Sequence, residues 1–288
     1  MNDVNPAACD YLGQKIKEYS AEHNRSYLVP IERKLVRQEN GVSDDFIGYD
    51  IWHCYECSFL TNKGIPITLV GKIKIPADSK FFIESNSMKL YFFSYNMVPM
   101  GETVDEAIEN FVEQVKSDLS ATTETDVEFS VHNKREANVV ENYANIYSLV
   151  DIDQIECKDY SENINLLKPG NSNEIKVYFP ALRSNCWGTH QPDFATVCLY
   201  IKGQTPTYES LIQYLTSFRG EKPLSCEEVT ERIFNAIKTK FNVQSLSVHS
   251  LFTRRGGVDI CPCRVTNLDL LEQDLISNDV LTFGSVNQ

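Results

Sequence analysis

Leu90-Tyr91-Phe92-Phe93-Ser94-Tyr95 returns later in the chain as Gln213-Tyr214-Leu215-Thr216-Ser217-Phe218, at an offset of 123 residues. The same offset lays Phe111 on Phe234. Around each copy the apolar spacing predicts helices. Residues 104–119 carry Ile108, Phe111, Val112 and Val115 at helical intervals. Residues 227–241 carry Val229, Ile233, Phe234, Ile237 and Phe241, and residues 208–218 carry Leu211, Ile212 and Leu215. The stretches 50–60, 67–75, 126–132, 176–179, 194–201 and 245–252 are rich in β-branched and aromatic residues and predict strands. A helix, a loop and a second helix thus recur between strands. The pattern predicts an α+β chain built as tandem copies of one module, residues 1–150 and 151–288. The polar stretch 151–173 belongs to the connection, with Pro169-Gly170-Asn171 as its turn signal.

The 288 residues are 42% apolar and 23% charged, an ordinary globular balance. A net charge of -13 argues against an extended nucleic-acid footprint, which needs clustered Lys and Arg. It leaves room for a small basic pocket. No apolar run approaches the roughly eighteen residues of a transmembrane helix, so no membrane partner is expected. The polar stretch 1–25 lacks a signal-peptide core, which points to a cytoplasmic protein with free thiols. The nine cysteines are scattered. Cys54 and Cys57 form C-x-x-C, and Cys261 and Cys263 form C-x-C. Residues three apart on a regular strand face opposite ways, which favours buried thiols over a zinc site, and no metal is expected.

Three segments carry chemistry. The first is Ser184-Asn185-Cys186-Trp187-Gly188-Thr189-His190-Gln191-Pro192-Asp193, a turn-rich loop that leads into a strand. A thiol needs a proton acceptor to act as a nucleophile, and Asp193 is within loop reach. A Cys-His pair with His190 would suit acyl transfer, and a Cys-Asp pair would suit addition to an activated carbon. A core cysteine beside a turn carboxylate would give the same string. The second is Phe82-Ile83-Glu84-Ser85-Asn86-Ser87-Met88-Lys89-Leu90-Tyr91. Ser85 or Ser87 is expected to cap a helix there, which leaves the Glu84 carboxylate to accept the paired N–H donors of a guanine-like ring. The third is Thr253-Arg254-Arg255-Gly256-Gly257-Val258-Asp259-Ile260, where arginine forks suit phosphate and glycine allows close approach. No G-x-G-x-x-G follows a strand and no Walker lysine is present, so a dinucleotide site here would not be of the Rossmann kind.

Together these segments resemble the 7-cyano-7-deazaguanine (preQ0) reductases, the NADPH-dependent nitrile reductases of queuosine biosynthesis, and among them the long, two-module form. Ser184-Asn-Cys186 with Thr189-His-Gln-Pro-Asp193 resembles the nucleophile loop. Glu84-Ser-Asn-Ser-Met-Lys89-Leu-Tyr91 resembles the signature E-S-K-S-x-K-x-Y. Arg254-Arg-Gly-Gly-Val-Asp-Ile260 with Pro262 resembles the arginine-glycine cofactor segment. Gly48-Tyr-Asp50-Ile-Trp52, Lys63-Gly64-Ile-Pro66, Ser217-Phe-Arg219 and Glu231-Arg-Ile-Phe234 extend the similarity from about Gly48 to Arg264. The resemblance implies tunnelling-fold (T-fold) modules, each an antiparallel sheet backed by helices. It implies that Cys186 adds to the nitrile carbon to give a thioimide and that Asp193 manages protons. Glu84, Ser85 and Glu227 would bind the deazaguanine, and Ser87, Lys89, Arg254, Arg255 and Gly256 would meet NADPH. A homodimer and a tRNA-modification role follow from the same likeness.

Two positions depart from the family pattern. Asn86 stands where the signature has lysine, and Cys226 stands where a His-Glu pair has its histidine, with Glu227 matching the glutamate. The histidine helps supply protons in the family. A relative that diverts the thioimide to an amide or amidine, and a non-catalytic deazapurine binder, are therefore the alternatives. The tail 277–288 reads as surface.

Overall fold

The computed structural model describes residues 22–42, 45–220 and 222–283. Cys9, the stretch 1–21 and the tail 284–288 lie outside the described residues. The N-terminal half runs β1 (Pro30–Glu32), α1 (Arg33–Glu39), β2 (Ile47–Leu60), β3 (Pro66–Pro76), β4 (Phe81–Ile83), α2 (Ser85–Phe93), α3 (Val104–Thr123), β5 (Glu128–His132), β6 (Ala137–Asn138) and β7 (Ala144–Asn145). The C-terminal half runs β8 (Glu174–Asn185), β9 (Pro192–Gly203), α4 (Tyr208–Ser217), α5 (Cys226–Lys240), β10 (Val243–Phe252), β11 (Val258–Val265), α6 (Gln273–Ile276) and β12 (Thr282–Phe283). The expected α+β class is what forms: antiparallel strands backed by helices.

Both halves feed one eight-stranded sheet in the order β5-β3-β2-β11-β10-β9-β8-β7. The seam is antiparallel, with the first long strand of the N-terminal half beside the last of the C-terminal half, from Val258↔Cys54 to Val265↔Ile47. Alternation along each strand sends apolar residues to both faces. On one face α4 and α5 lay Leu211, Leu215, Val229, Ile233 and Ile237 against Val197, Leu199, Leu246 and Val248. On the same face α2 and α3 lay Met88, Tyr91, Phe111 and Val115 against Trp52, Phe59, Ile73 and Phe129. The other face is covered by Val139, Val140, Tyr143, Leu271 and Leu275, packed on Ile51, Cys198, Leu251, Cys261 and Cys263.

The repeated hexapeptide has one structure in two places. Ser94 Oγ donates to the Tyr91 carbonyl at 2.6 Å, and Ser217 Oγ donates to the Tyr214 carbonyl at 2.6 Å. Tyr91 and Tyr95 meet edge to face at 5.4 Å, and Tyr214 and Phe218 do so at 5.6 Å. Each tyrosine hydroxyl reaches an acid, Asp118 at 2.8 Å and Glu162 at 3.1 Å. The string therefore closes α2 in one half and α4 in the other and plugs its ring pair into the core.

Four expectations are corrected. The repeat is unequal: the C-terminal half follows its two helices with β10 and the long β11, whereas the N-terminal half follows its pair with β5 and, among the described residues, only the short Ala137–Asn138, paired with Thr282–Phe283. Residues 258–265, which are not among the stretches predicted as strands, form a full central strand. Cys54 and Cys57 share a face, because the β2·β3 register shifts between them and the bulge inserts a residue. The tail is not surface as far as it is described. Leu281 and Thr282 are buried, and Lys72 Nζ donates to the carbonyls of Ser277 at 2.6 Å and Val280 at 2.5 Å. Among the described residues no helix is long and apolar enough to cross a membrane.

Candidate active site

Two helix starts and one hairpin converge where the halves meet. The first start follows β4, which pairs with β1. Its N-cap is Glu84, not a serine: the carboxylate accepts from the backbone N–H groups of Asn86 at 3.0 Å and Ser87 at 2.8 Å. Asn86 Nδ2 adds a third bond to the same carboxylate at 2.7 Å. The Ser87 hydroxyl donates to the Glu84 carbonyl at 2.6 Å and accepts from Val29 N–H at 3.2 Å. Ser87 is buried and saturated, and it does not reach the cleft, whereas Ser85 lines it.

The hairpin joins β8 to β9. Gln191 accepts from Cys186 N–H at 2.8 Å, and Cys186 accepts from His190 N–H at 2.8 Å. Leu224 N–H donates to Asn185 at 2.8 Å, which ties the hairpin to the segment ahead of α5. There Ser225 and Glu228 form a reciprocal capping box, which fixes Cys226 and Glu227 in the first helical turn. Cys186, Trp187, Thr189, Asp193, Cys226, Glu227, Glu84, Ser85, Asn86 and Arg255 all face one partly open cleft. Its apolar walls are Trp52, Phe82 and Phe252. His190 is exposed with φ 56° and lies outside the lining, which removes the Cys-His option.

The electrostatics follow from burial. Asp193 is buried, and desolvation pushes its carboxyl up, against the pull of Arg255 and of a hydrogen bond from the Cys186 thiol. Arg255 forms an ion pair with Asp193 and donates to the Pro192 carbonyl at 3.0 Å and to Gln191 Oε1 at 2.8 Å. Its guanidinium, expected at a cofactor phosphate, is held by the nucleophile's own acid. Glu227 is buried, and its Oε1 has no hydrogen-bond partner. Desolvation and the Asp50 charge push Glu227 up to about 8, against Arg33 and Arg264. Desolvation, with Asp193 and Glu227 nearby, pushes the Cys226 thiol well above the ordinary thiol range. It stands in the cleft as a neutral group.

Lys89, Arg254 and Gly256 gather beside the cleft rather than in its lining. The β2 bulge turns Tyr55 and Glu56 towards them. Arg254 stacks over the Tyr55 ring at 3.2 Å and lies 3.5 Å from Asp259, and Lys89 pairs with Glu56 at 3.2 Å. Gly256 and Gly257 both have positive φ, 56° and 80°. The φ of Gly257 strains any side chain there, and a Cβ would also displace the Glu56 side chain. Cations around a glycine turn are a donor set that suits the phosphates of a dinucleotide. Among the described residues no group of three or more His, Cys, Asp and Glu is placed to hold a metal.

Residues 19–131 match the family described as nitrile reductase, 7-cyano-7-deazaguanine-reductase N-term, and residues 192–268 match the family described as QueF-like protein. The NADPH-dependent 7-cyano-7-deazaguanine reductase of Acinetobacter baumannii is 34% identical over 258 residues, covering 88% of this chain and 92% of its own. The chain belongs to the 7-cyano-7-deazaguanine nitrile reductase family. Enzymes of the same name from Dechloromonas aromatica (34% identical, 91% of this chain and 92% of that one) and Rickettsia prowazekii (33%, 91% and 94%) agree. The nitrile-reductase matches carry Glu84 and Lys89 in the first range and Asp193, Glu227 and Arg254 in the second, with Cys186 between them. Two features of this reductase site escaped the sequence reading. Of the aromatic walls only Trp52 and Phe82 fell within quoted motifs, and the arginines behind Glu227 gave no local signal because Arg33 and Arg264 lie at opposite ends of the chain.

Proposed function

We propose that this chain reduces the nitrile of 7-cyano-7-deazaguanine to the aminomethyl group with NADPH, through a thioimide on Cys186. The observation that carries the reading is the Cys186 thiol set with the buried Asp193 in the lining of one cleft that also holds Glu227. Asp193 takes the thiol proton as sulfur attacks the nitrile carbon, and returns it to the nitrile nitrogen. The unpartnered Glu227 Oε1 accepts the ring N–H donors of the substrate, and Ser85 and Glu84 border the same space. Trp52, Phe82 and Phe252 exclude water from the adduct. Lys89, Arg254, Arg255 and the Gly256 turn would hold NADPH, which when bound supplies the two hydrides that a nitrile needs to become an amine. Cys226 occupies the histidine's place as a neutral packing thiol.

The reading extends to tunnelling-fold modules at 1–150 and 151–288, a cytoplasmic role in tRNA modification, and a homodimer. The open edge at β5, unpaired on its outer side among the described residues, suits pairing with a second copy. The test is NADPH absorbance on mixing with 7-cyano-7-deazaguanine, with Cys186→Ala in parallel and the product mass recorded. The expected result is two NADPH oxidised per aminomethyl product, abolished by the substitution. A Cys186 adduct without NADPH consumption overturns it in favour of an enzyme that diverts the thioimide.

A further inference from the structure

Behind Glu227 lies a buried cluster of charges drawn from both halves. Arg33 of α1 pairs with Asp50 of β2 at 2.6 Å. Arg264 of β11 reaches the other Asp50 oxygen at 2.8 Å and Glu231 of α5 at 2.8 Å. Arg37 completes the set on Glu231 at 2.7 Å. All five side chains are at most 5% exposed. Three guanidiniums therefore meet two carboxylates, and the cluster is left one positive charge in excess. Burying an unbalanced charge is costly. Glu227 is one helical turn before Glu231, and its ionised carboxylate would make the buried set neutral. The charges that act on it most are Asp50 of β2, Arg33 of α1 and Arg264 of β11; Glu84 ahead of α2, Asp193 of β9 and Arg255 ahead of β11 face the same cleft, Glu228 and Glu231 lie on its own helix, and the adjacent Cys226 is a neutral thiol.

We propose that Arg33 is a positioning residue for substrate recognition: the excess charge it gives the buried cluster opposes the burial of Glu227 and favours the anion that accepts the substrate's N–H donors. The inference rests on the reductase reading for the identity of that substrate. It makes the N-terminal half an electrostatic part of a recognition group carried by the C-terminal half. Arg33 touches neither substrate nor cofactor.

The test is the pH dependence of KM and kcat for wild type, Arg33→Met, Asp50→Asn, Arg33→Lys and the double variant Arg33→Met with Asp50→Asn. Arg33→Met removes the excess, so the pH below which KM rises moves up. KM below that pH increases about tenfold for each unit of movement, and kcat at saturating substrate holds. Asp50→Asn adds to the excess and moves the midpoint down. The double variant and Arg33→Lys keep the excess and return the midpoint to near wild type, which a loss of packing would not do. Equal KM losses in Arg33→Met and the double variant, or a fall in kcat at fixed KM, overturn the proposal. If Arg33→Met does not fold, Asp50→Asn and the double variant carry the same sign test. A wild type without turnover refutes the reductase reading instead. The infrared C=O band of the protonated carboxyl, assigned by its loss in Glu227→Gln, then reads the same shifts without catalysis.

Discussion

Replacing Arg255 with methionine should move the acid limb of the pH–kcat/KM profile to higher pH. Asp193 must be ionised to take the Cys186 proton, so activity is present above its pKa and lost as pH falls through it. Burial already pushes that carboxyl up, and the Arg255 ion pair pulls it back. Two unit charges at about 4 Å interact by roughly 4 kcal/mol at the effective dielectric of a protein surface and roughly 1 kcal/mol in water. The Arg255 side chain is 34% exposed, so solvent screens the pair and the lower part of that range applies. About 1–2 kcal/mol corresponds to about one pH unit. The limb should therefore rise by about one unit in Arg255→Met, with a roughly tenfold loss below it, and Arg255→Lys should restore most of the position. The assay is NADPH oxidation at saturating NADPH and low nitrile, with NADPH affinity measured separately. An unmoved limb with weakened NADPH binding would refute the reasoning and place Arg255 on the cofactor alone.

Glu84→Ala should cost about 1 kcal/mol through the lost N-cap and lower Tm by about 2 °C, read by calorimetry. Glu84→Gln, which keeps an acceptor oxygen, should hold Tm while weakening substrate binding. Iodoacetamide at neutral pH should label the partly exposed Cys186, whereas Cys57 and Cys263, whose thiols burial pushes up to about 12, should react only after unfolding. Peptide mass mapping decides this, and native labelling of Cys57 would contradict the burial argument. Burial pushes the Lys72 ammonium from 10.5 down to about 8. Between those values the unfolded chain binds the extra proton, so stability should rise with pH there. Denaturant titrations should show that rise in wild type and a flatter response in Lys72→Met.

Periodicity was a good guide where one face of a helix is buried along its length. The spacing of Phe111 and Val115, and of Val229, Ile233 and Ile237, placed α3 and α5 to within a few residues. The hexapeptide repeat located equivalent helix ends because the Ser-to-carbonyl bond and the ring pair constrain residues close in sequence. The nucleophile and its acid were legible for the same reason: Cys186 and Asp193 share one hairpin. Failures came where non-local pairing decides. Residues 258–265 become a central strand only because β2 and β10 flank them, and no local signal overrides their glycine start. The bulge that brings Cys54 and Cys57 to one face is set against β3. Glu84 caps α2 instead of a serine because β4 holds it one residue earlier than propensity favours. The Arg33–Asp50–Arg264–Glu231 cluster includes a bonded pair 214 residues apart and is visible only in three dimensions.

The β2·β11 seam also sets a timetable. Residues 47–54 are made early, and their partner strand is among the last parts of the sheet to be made. At about 5–20 residues per second of synthesis, roughly ten to forty seconds pass with the inner edge of β2 unpaired while the rest of the chain emerges. An open edge that long-lived is a template for the wrong partner. The nascent N-terminal half must therefore be shielded or stay loose until Val265 has left the ribosome. The cleft, which needs both sides of the seam, is then finished in one late step.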